Sequence, residues 1–193
     1  MSTAYTELNR FVKEKLPEKR YIHSLGVVEM SMELASRFSL PVSDSACIGI
    51  FHDAYRYDCG SGTPSFCSAH GIGVFPEEEK EPMLLHGALA AVHFDEVQGP
   101  VPHSWKVAVR HHTLGHKDMG ALGAVVYIAD YAEKGRKHLD DEERSRILSL
   151  PTLEAMVMHI MDMQRAYFES KGMKEAGVSE ELYSFLENGG RFA

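Results

Sequence analysis

The chain has 193 residues, 44% of them hydrophobic and 25% charged, which suits a globular protein with one substantial core and excludes compositional disorder. Its net charge of −8 argues against sequence-independent grip on nucleic acid, which depends on clustered Lys and Arg. No run approaches the roughly 20 apolar residues of a membrane span, and the first fifteen residues hold no apolar segment like a signal peptide.

A cytoplasmic protein that binds neither membrane nor nucleic acid is therefore expected. Cys47, Cys59 and Cys67 form no CxxC pair and leave one thiol over, which fits free cysteines in a reducing compartment.

Apolar residues recur at three- and four-residue spacing almost throughout, so an all-α helical bundle is expected, with residues 1–193 forming a single domain. The first clear helix covers about 18–38, with Ile22, Val27, Met30, Leu34 and Phe38 in one apolar stripe and His23 at its border. Pro41 closes that segment. Ser43 and Asp44 then read as the N-cap and first turn of a second helix, through Ala46, Ile50 and Phe51, with His52-Asp53 at its end.

Residues 57–76 are rich in Gly, Ser, Pro and Cys and read as a long irregular segment with room for one short helical turn. Such length permits a lid. Pro82 can start a third helix, which carries His86. A fourth begins near Pro102 and ends in His111-His112-Thr113, where Trp105, Ala108, Val109 and His112 share a face, so His112 points inward more than His111.

The run 121–129 is apolar all round, as in a helix buried on nearly every side, and Asp130 follows at once. Beyond it come an acidic helix start at Asp140, an amphipathic helix over about 153–168 and a short terminal helix near 179–186. The Met-rich stretch 156–163 reads as core, and the run Glu77-Glu78-Glu79 as a solvated face.

Chemistry concentrates at His23, His52-Asp53, His86 or His112, and Asp130, each on an inward face of a separate helix. Imidazole and carboxylate together suit a divalent transition metal, whereas an all-oxygen set would suit magnesium or calcium. A metal shared between Asp53 and Asp130 would offset the several kcal/mol that burying an unpaired carboxylate costs. His70, His93, His103, His111, His116, His138 and His159 read as surface or loop residues.

The order His…His-Asp…Asp on successive helices resembles the HD superfamily of metal-dependent phosphohydrolases. More narrowly, RYIHSLGVVEMSMELA, ACIGIFHDAYR, HGIGVFPEEEKEPMLLHGALAA, VAVRHHTLG and VVYIADYAEKGR resemble its YqeK-like branch, bacterial symmetrical diadenosine tetraphosphate hydrolases. That resemblance implies a metal core over about 18–136 and C-terminal helices over about 140–190. It implies His23, His52, Asp53 and Asp130 as metal ligands, with iron the expected ion, manganese or cobalt the alternatives, and one or two ions bound.

His86 and His112 would hold a second metal or grip polyphosphate. Asp53 and Arg56 would be catalytic, Arg136 would contact substrate phosphate, and Thr113 and Gly115 would shape the pocket. The expected reaction is attack of metal-activated water midway along diadenosine tetraphosphate, giving two ADP, with charge developing on phosphoryl oxygens balanced by the surrounding basic groups. The partner is then a small nucleotide, with a homodimer compatible.

Arg56 stands where the branch usually has Lys, Leu114 where it usually has Thr, and Lys134-Gly135 where a proline-bearing stretch is usual. These departures touch substrate choice more than hydrolysis. Two other readings share the same residues: a different HD nucleotide phosphohydrolase, acting on a nucleoside monophosphate, a cyclic dinucleotide or a guanosine alarmone, and a non-catalytic nucleotide or metal sensor.

Overall fold

The computed structural model describes residues 2–192. Among them are eleven α-helices, one 3-10 turn and no strand, in agreement with the helical periodicity. In chain order they are α1 (Thr3–Lys15), α2 (Glu18–Arg37), α3 (Val42–Phe51), α4 (Thr63–Ala69), α5 (Pro76–Lys80), a 3-10 turn (Pro82–Leu85), α6 (His86–Gln98), α7 (His103–His111), α8 (Gly120–Ala132), α9 (Asp141–Ser149), α10 (Leu153–Ser170) and α11 (Gly177–Glu187).

The short helix α3 is the hub, packed against α1, α2, α7 and α8, and every residue from Ser45 to Phe51 on it is buried. Only small or apolar residues can satisfy such an all-round environment, and Ser-Ala-Cys-Ile-Gly-Ile-Phe supplies them. Its last residue stacks on α6, with Phe51 and Phe94 ring centroids 4.2 Å apart. Helix α8 is buried from Gly123 to Ala129, and partly exposed Asp130 follows directly on that stretch. The two segments that carry the acids are thus both deeply covered.

Elsewhere local chemistry sets the boundaries. Asp140 caps α9 by accepting from Glu143 N at 2.8 Å, and Thr152 caps α10 by accepting from Ala155 N at 3.1 Å. Met156 and Met161 are fully buried, as their helical spacing predicts.

Six readings change. Helix α1 was not expected; Ser2 caps it by accepting from Tyr5 N at 3.2 Å, and Leu8 and Val12 bury one face against α3 and α6. Helix α3 starts two residues earlier than an N-cap at Ser43 implies, with Pro41 at the cap position. Ile22 is 58% exposed, because α2 turns its Val27, Met30 and Leu34 face inward and leaves the first turn at a cavity mouth.

Residues 57–76 hold the seven-residue helix α4, anchored by buried Cys67, and Pro82 opens a 3-10 turn rather than the helix that follows. Finally, Glu78 is fully buried, not solvated: it accepts from Arg110 Nη1 at 2.6 Å and Nη2 at 2.7 Å, and from Phe75 N at 2.9 Å. All three cysteines are unpaired, and no helix among the described residues is long and apolar enough to cross a membrane.

Candidate metal centre

Side chains from α2, the end of α3, the start of α6, the end of α7 and α8 converge on one point. His23 Nε2 lies 2.9 Å from Asp130 Oδ1 and 3.8 Å from Asp53 Oδ2; His52 Nε2 lies 3.5 Å from Asp53 Oδ2 and 3.8 Å from Asp130 Oδ1. His86 Nε2 comes within 3.0 Å of Asp53 Oδ1 and 3.0 Å of His112 Nε2. His52, Asp53, His86 and His112 are all buried.

Two overlapping triplets bring one ligand atom each within 4.8 Å of the others: His23, His52 and Asp130, and His52, Asp53 and His112. His52 belongs to both. All of the residues expected to bind metal therefore meet at one place, and His86 and His112 lie beside them.

The ring protons decide what this arrangement can hold. His52, His86 and His112 each donate Nδ1–H to the carbonyl three residues back, on Gly49, Met83 and Val109, at 2.7 Å in every case. His23 donates Nδ1–H to Glu133 Oε1 at 3.1 Å. With the Nδ1 protons committed, the neutral form of each ring turns its Nε2 lone pair toward the other rings and the carboxylate oxygens. Buried His23 Nε2, His52 Nε2 and Asp53 Oδ1 meet no partner in hydrogen-bond geometry. Acceptors facing acceptors at these distances need a cation between them, so the donor set fits a divalent transition metal.

The charge balance around the cluster points the same way. Burial alone would raise the Asp53 pKa, but His52 and His86 outweigh it and hold the carboxyl well below its usual range. Burial likewise works against Asp130 as an anion, and its contacts with His23, His52 and Arg136 lower its pKa and keep it ionised. His112 is pushed down to about 3 by burial, then by His86 and His52, so its ring is neutral, the form that ligates metals.

The outer residues are unequal. Arg56 Nη1 is 3.3 Å from His86 Nε2 and 3.7 Å from Asp53 Oδ1, and Thr113 Oγ1 is 3.2 Å from His112 Nε2 and 3.3 Å from His86 Nε2. Arg136 donates Nε to the Asp130 carbonyl at 2.6 Å and Nη2 to its carboxylate. Gly115, at φ 73°, closes the turn after α7, and a Cβ there would meet Leu182 and Tyr127.

Two residues were missed from sequence. Arg20 donates Nη1 to Asp53 Oδ2 at 2.8 Å, and Glu133 is buried against His23. Arg20 stands one turn before His23 on α2, a spacing that could have drawn attention to it.

A cavity of about 690 Å³ opens beside His23, with Lys19, Arg20, Arg136, Lys137 and His138 on its walls and Ile22 and Tyr57 at its edge. Glu133 is the one acidic residue that lines it, and its carboxylate is turned to His23.

This buried constellation of histidines and aspartates, carried by successive helices, belongs to a known class: the HD domain family profile matches residues 20–135, and the chain is a member of that family. A divalent metal is part of that family's site.

Among particular relatives, a symmetrical bis(5'-nucleosyl)-tetraphosphatase of Staphylococcus aureus (strain NCTC 8325 / PS 47) is 32% identical over 131 residues, 66% of this chain and 65% of its own length. The protein of the same description from Bacillus subtilis (strain 168) is 28% identical over 149 residues, 77% of this chain and 80% of its own. A crystal structure from Clostridium acetobutylicum, described as a "predicted HD superfamily hydrolase involved in NAD metabolism", superposes with a TM-score of 0.85 at 25% identity, covering 95% of this chain and 97% of that one.

Proposed function

We propose that the chain hydrolyses dinucleoside polyphosphates, cleaving diadenosine tetraphosphate with one water into two ADP. The observation that carries this reading is the pairing of a lone-pair-rich His/Asp cluster with a basic cavity in a protein whose net charge is −8. The symmetrical tetraphosphatases among its relatives supply the substrate class.

His23, His52, Asp53 and Asp130 would hold the metal, with iron the expected ion. When bound, a divalent ion of this kind acidifies water and polarises a phosphoryl oxygen.

The chain's own residues do the rest. Arg20 and Arg136 each brace a ligand carboxylate and leave guanidinium N–H groups toward the cavity. Lys19 and Lys137 add positive charge along its walls, and exposed Tyr57 offers a ring face at its edge. Arg56 and Thr113, next to His86 and His112, are placed to donate to a phosphoryl oxygen that enters the centre. Charge neutralisation by preorganised donors is the term that dominates phosphoryl transfer.

The same reading takes residues 1–193 as one cytoplasmic domain, and three unpaired cysteines support a reducing compartment.

The test is product analysis after incubation of purified protein with diadenosine tetraphosphate and iron(II), manganese, cobalt, magnesium or no metal. ADP as sole product, dependent on a transition metal, is the expected result. The description of the Clostridium structure makes NAD the first competing substrate to include, followed by nucleoside monophosphates and cyclic dinucleotides. Turnover of one of those with none of the tetraphosphate would overturn the substrate assignment while leaving the metal chemistry standing.

A further inference from the structure

The four histidines of the centre are held in two different ways. His52, His86 and His112 sit where a helix or turn begins or ends, and each finds a backbone carbonyl for its Nδ1 proton three residues back. Near helix and turn ends such carbonyls are within reach of a side-chain donor. His23 lies within the 20-residue helix α2, where the carbonyls are spent on the i→i−4 ladder. Its Nδ1 proton has only a side chain to turn to, and that side chain is Glu133, which caps the C-terminal end of α8.

Two glycines make room for the Glu133 carboxylate beside His23. A Cβ on Gly26, one turn along α2 from His23, would stand 2.5 Å from Glu133 Oε2. A Cβ on Gly135 would stand 2.9 Å from both carboxylate oxygens, and Gly135 N–H donates to Oε2 at 2.5 Å. Glycine within a helix is a disadvantage relative to alanine, so Gly26 stands against local propensity. The Lys134-Gly135 departure acquires a reason as well, since this glycine both clears and donates to the carboxylate.

We propose that Glu133 is the positioning residue for His23: it takes the Nδ1 proton, fixes the ring so that Nε2 faces the cation site, and depends on Gly26 for the space to do so. The inference rests on the reading of His23 as a metal ligand. Outer carboxylates of this kind set both the tautomer and the basicity of the imidazole they hold.

The test is manganese binding to metal-free protein, followed by calorimetry, for wild type, Glu133→Gln, Glu133→Ala, Gly26→Ala, Gly26→Ala/Glu133→Ala and His23→Ala, each checked for native helicity by circular dichroism. Glu133→Ala is expected to weaken binding by about 10- to 100-fold. Glu133→Gln, nearly isosteric and still able to accept the Nδ1 proton, should lose less, which keeps the test decisive if the alanine variant fails to fold. Gly26→Ala should weaken binding like Glu133→Ala even though it favours the helix.

In the Glu133→Ala background Gly26→Ala should change nothing further, because it acts through the carboxylate; independent effects would simply add. Wild-type affinity in both Glu133→Ala and Gly26→Ala, or additive losses in the double variant, overturns the proposal. If His23→Ala binds manganese as tightly as wild type, the ligand reading itself fails; if His23→Ala loses binding and Glu133→Ala does not, only the positioning role falls.

Discussion

The buried polar clusters around Glu78 and around Asp53 and Asp130 are built on opposite rules. Around Glu78 everything closes: the carboxylate takes both guanidinium nitrogens of Arg110 and the Phe75 N–H, while Arg110 Nη2 also reaches the Gly73 carbonyl at 2.8 Å. Around Asp53 and Asp130 the nitrogens that matter stay open, with three buried polar atoms in no hydrogen bond of proper geometry. The first arrangement stands alone as a pin joining the segment around α5 to α7. The second is complete only with a cation. Burial of charge does not by itself mark a functional site; burial with unspent lone pairs does.

The contrast can be broken most sharply at Asp53. Asp53→Ala should lower hydrolysis by more than about 100-fold, beyond what loss of a merely supporting partner costs, as read from ADP release under saturating metal. Residual turnover near wild type would mean that the open cluster is not the reaction centre.

At the closed cluster the effect should fall on stability instead. Arg110→Ala leaves Glu78 buried without its partner and should cost about 3–5 kcal/mol in denaturant unfolding, with metal affinity unchanged in whatever protein remains folded. Replacing both partners by apolar residues of similar volume should recover most of that loss.

Metal removal sharpens the comparison from the other side. At about a hundredfold excess over Kd a ligand stabilises the native state by about 2.7 kcal/mol, so a chelator should lower Tm by roughly 5–10 °C for a chain of this size. Asp53→Ala should abolish the shift and Arg110→Ala should keep it. A reference point comes from the exposed ion pair between Arg146 Nη2 and Glu142 Oε1, 3.3 Å apart on α9. Glu142→Ala there should move stability by no more than about 0.5 kcal/mol.

The ligand residues were legible in the chain because each is a chemical exception to a local pattern. His52-Asp53 ends a segment with no other acid after its first turn, and Asp130 ends one that is apolar throughout. His112 was separable from His111 by helical phase alone, and the structure buries the former and leaves the latter partly exposed. Helix α1 was missed because its face carries only Leu8 and Val12 as fully buried anchors, too few for periodicity to stand out. Glu78 was misread because a run of three glutamates has no phase of its own, and only the arrival of Arg110 selects the middle one.

By itself the sequence determined that the chain would be helical, that inward-facing histidines and aspartates would occur in the order His, His-Asp, Asp, and that they suited a transition metal. Those conclusions follow from composition and a 3.6-residue period, which are local properties. Tertiary structure alone decided that Glu133 meets His23 across 110 positions of chain, that Arg20 braces Asp53, and that Ile22 looks out over a basic cavity. Periodicity says which side of a helix is apolar; which other helix covers that side, and which polar group is left facing which, depends on how all the helices pack at once.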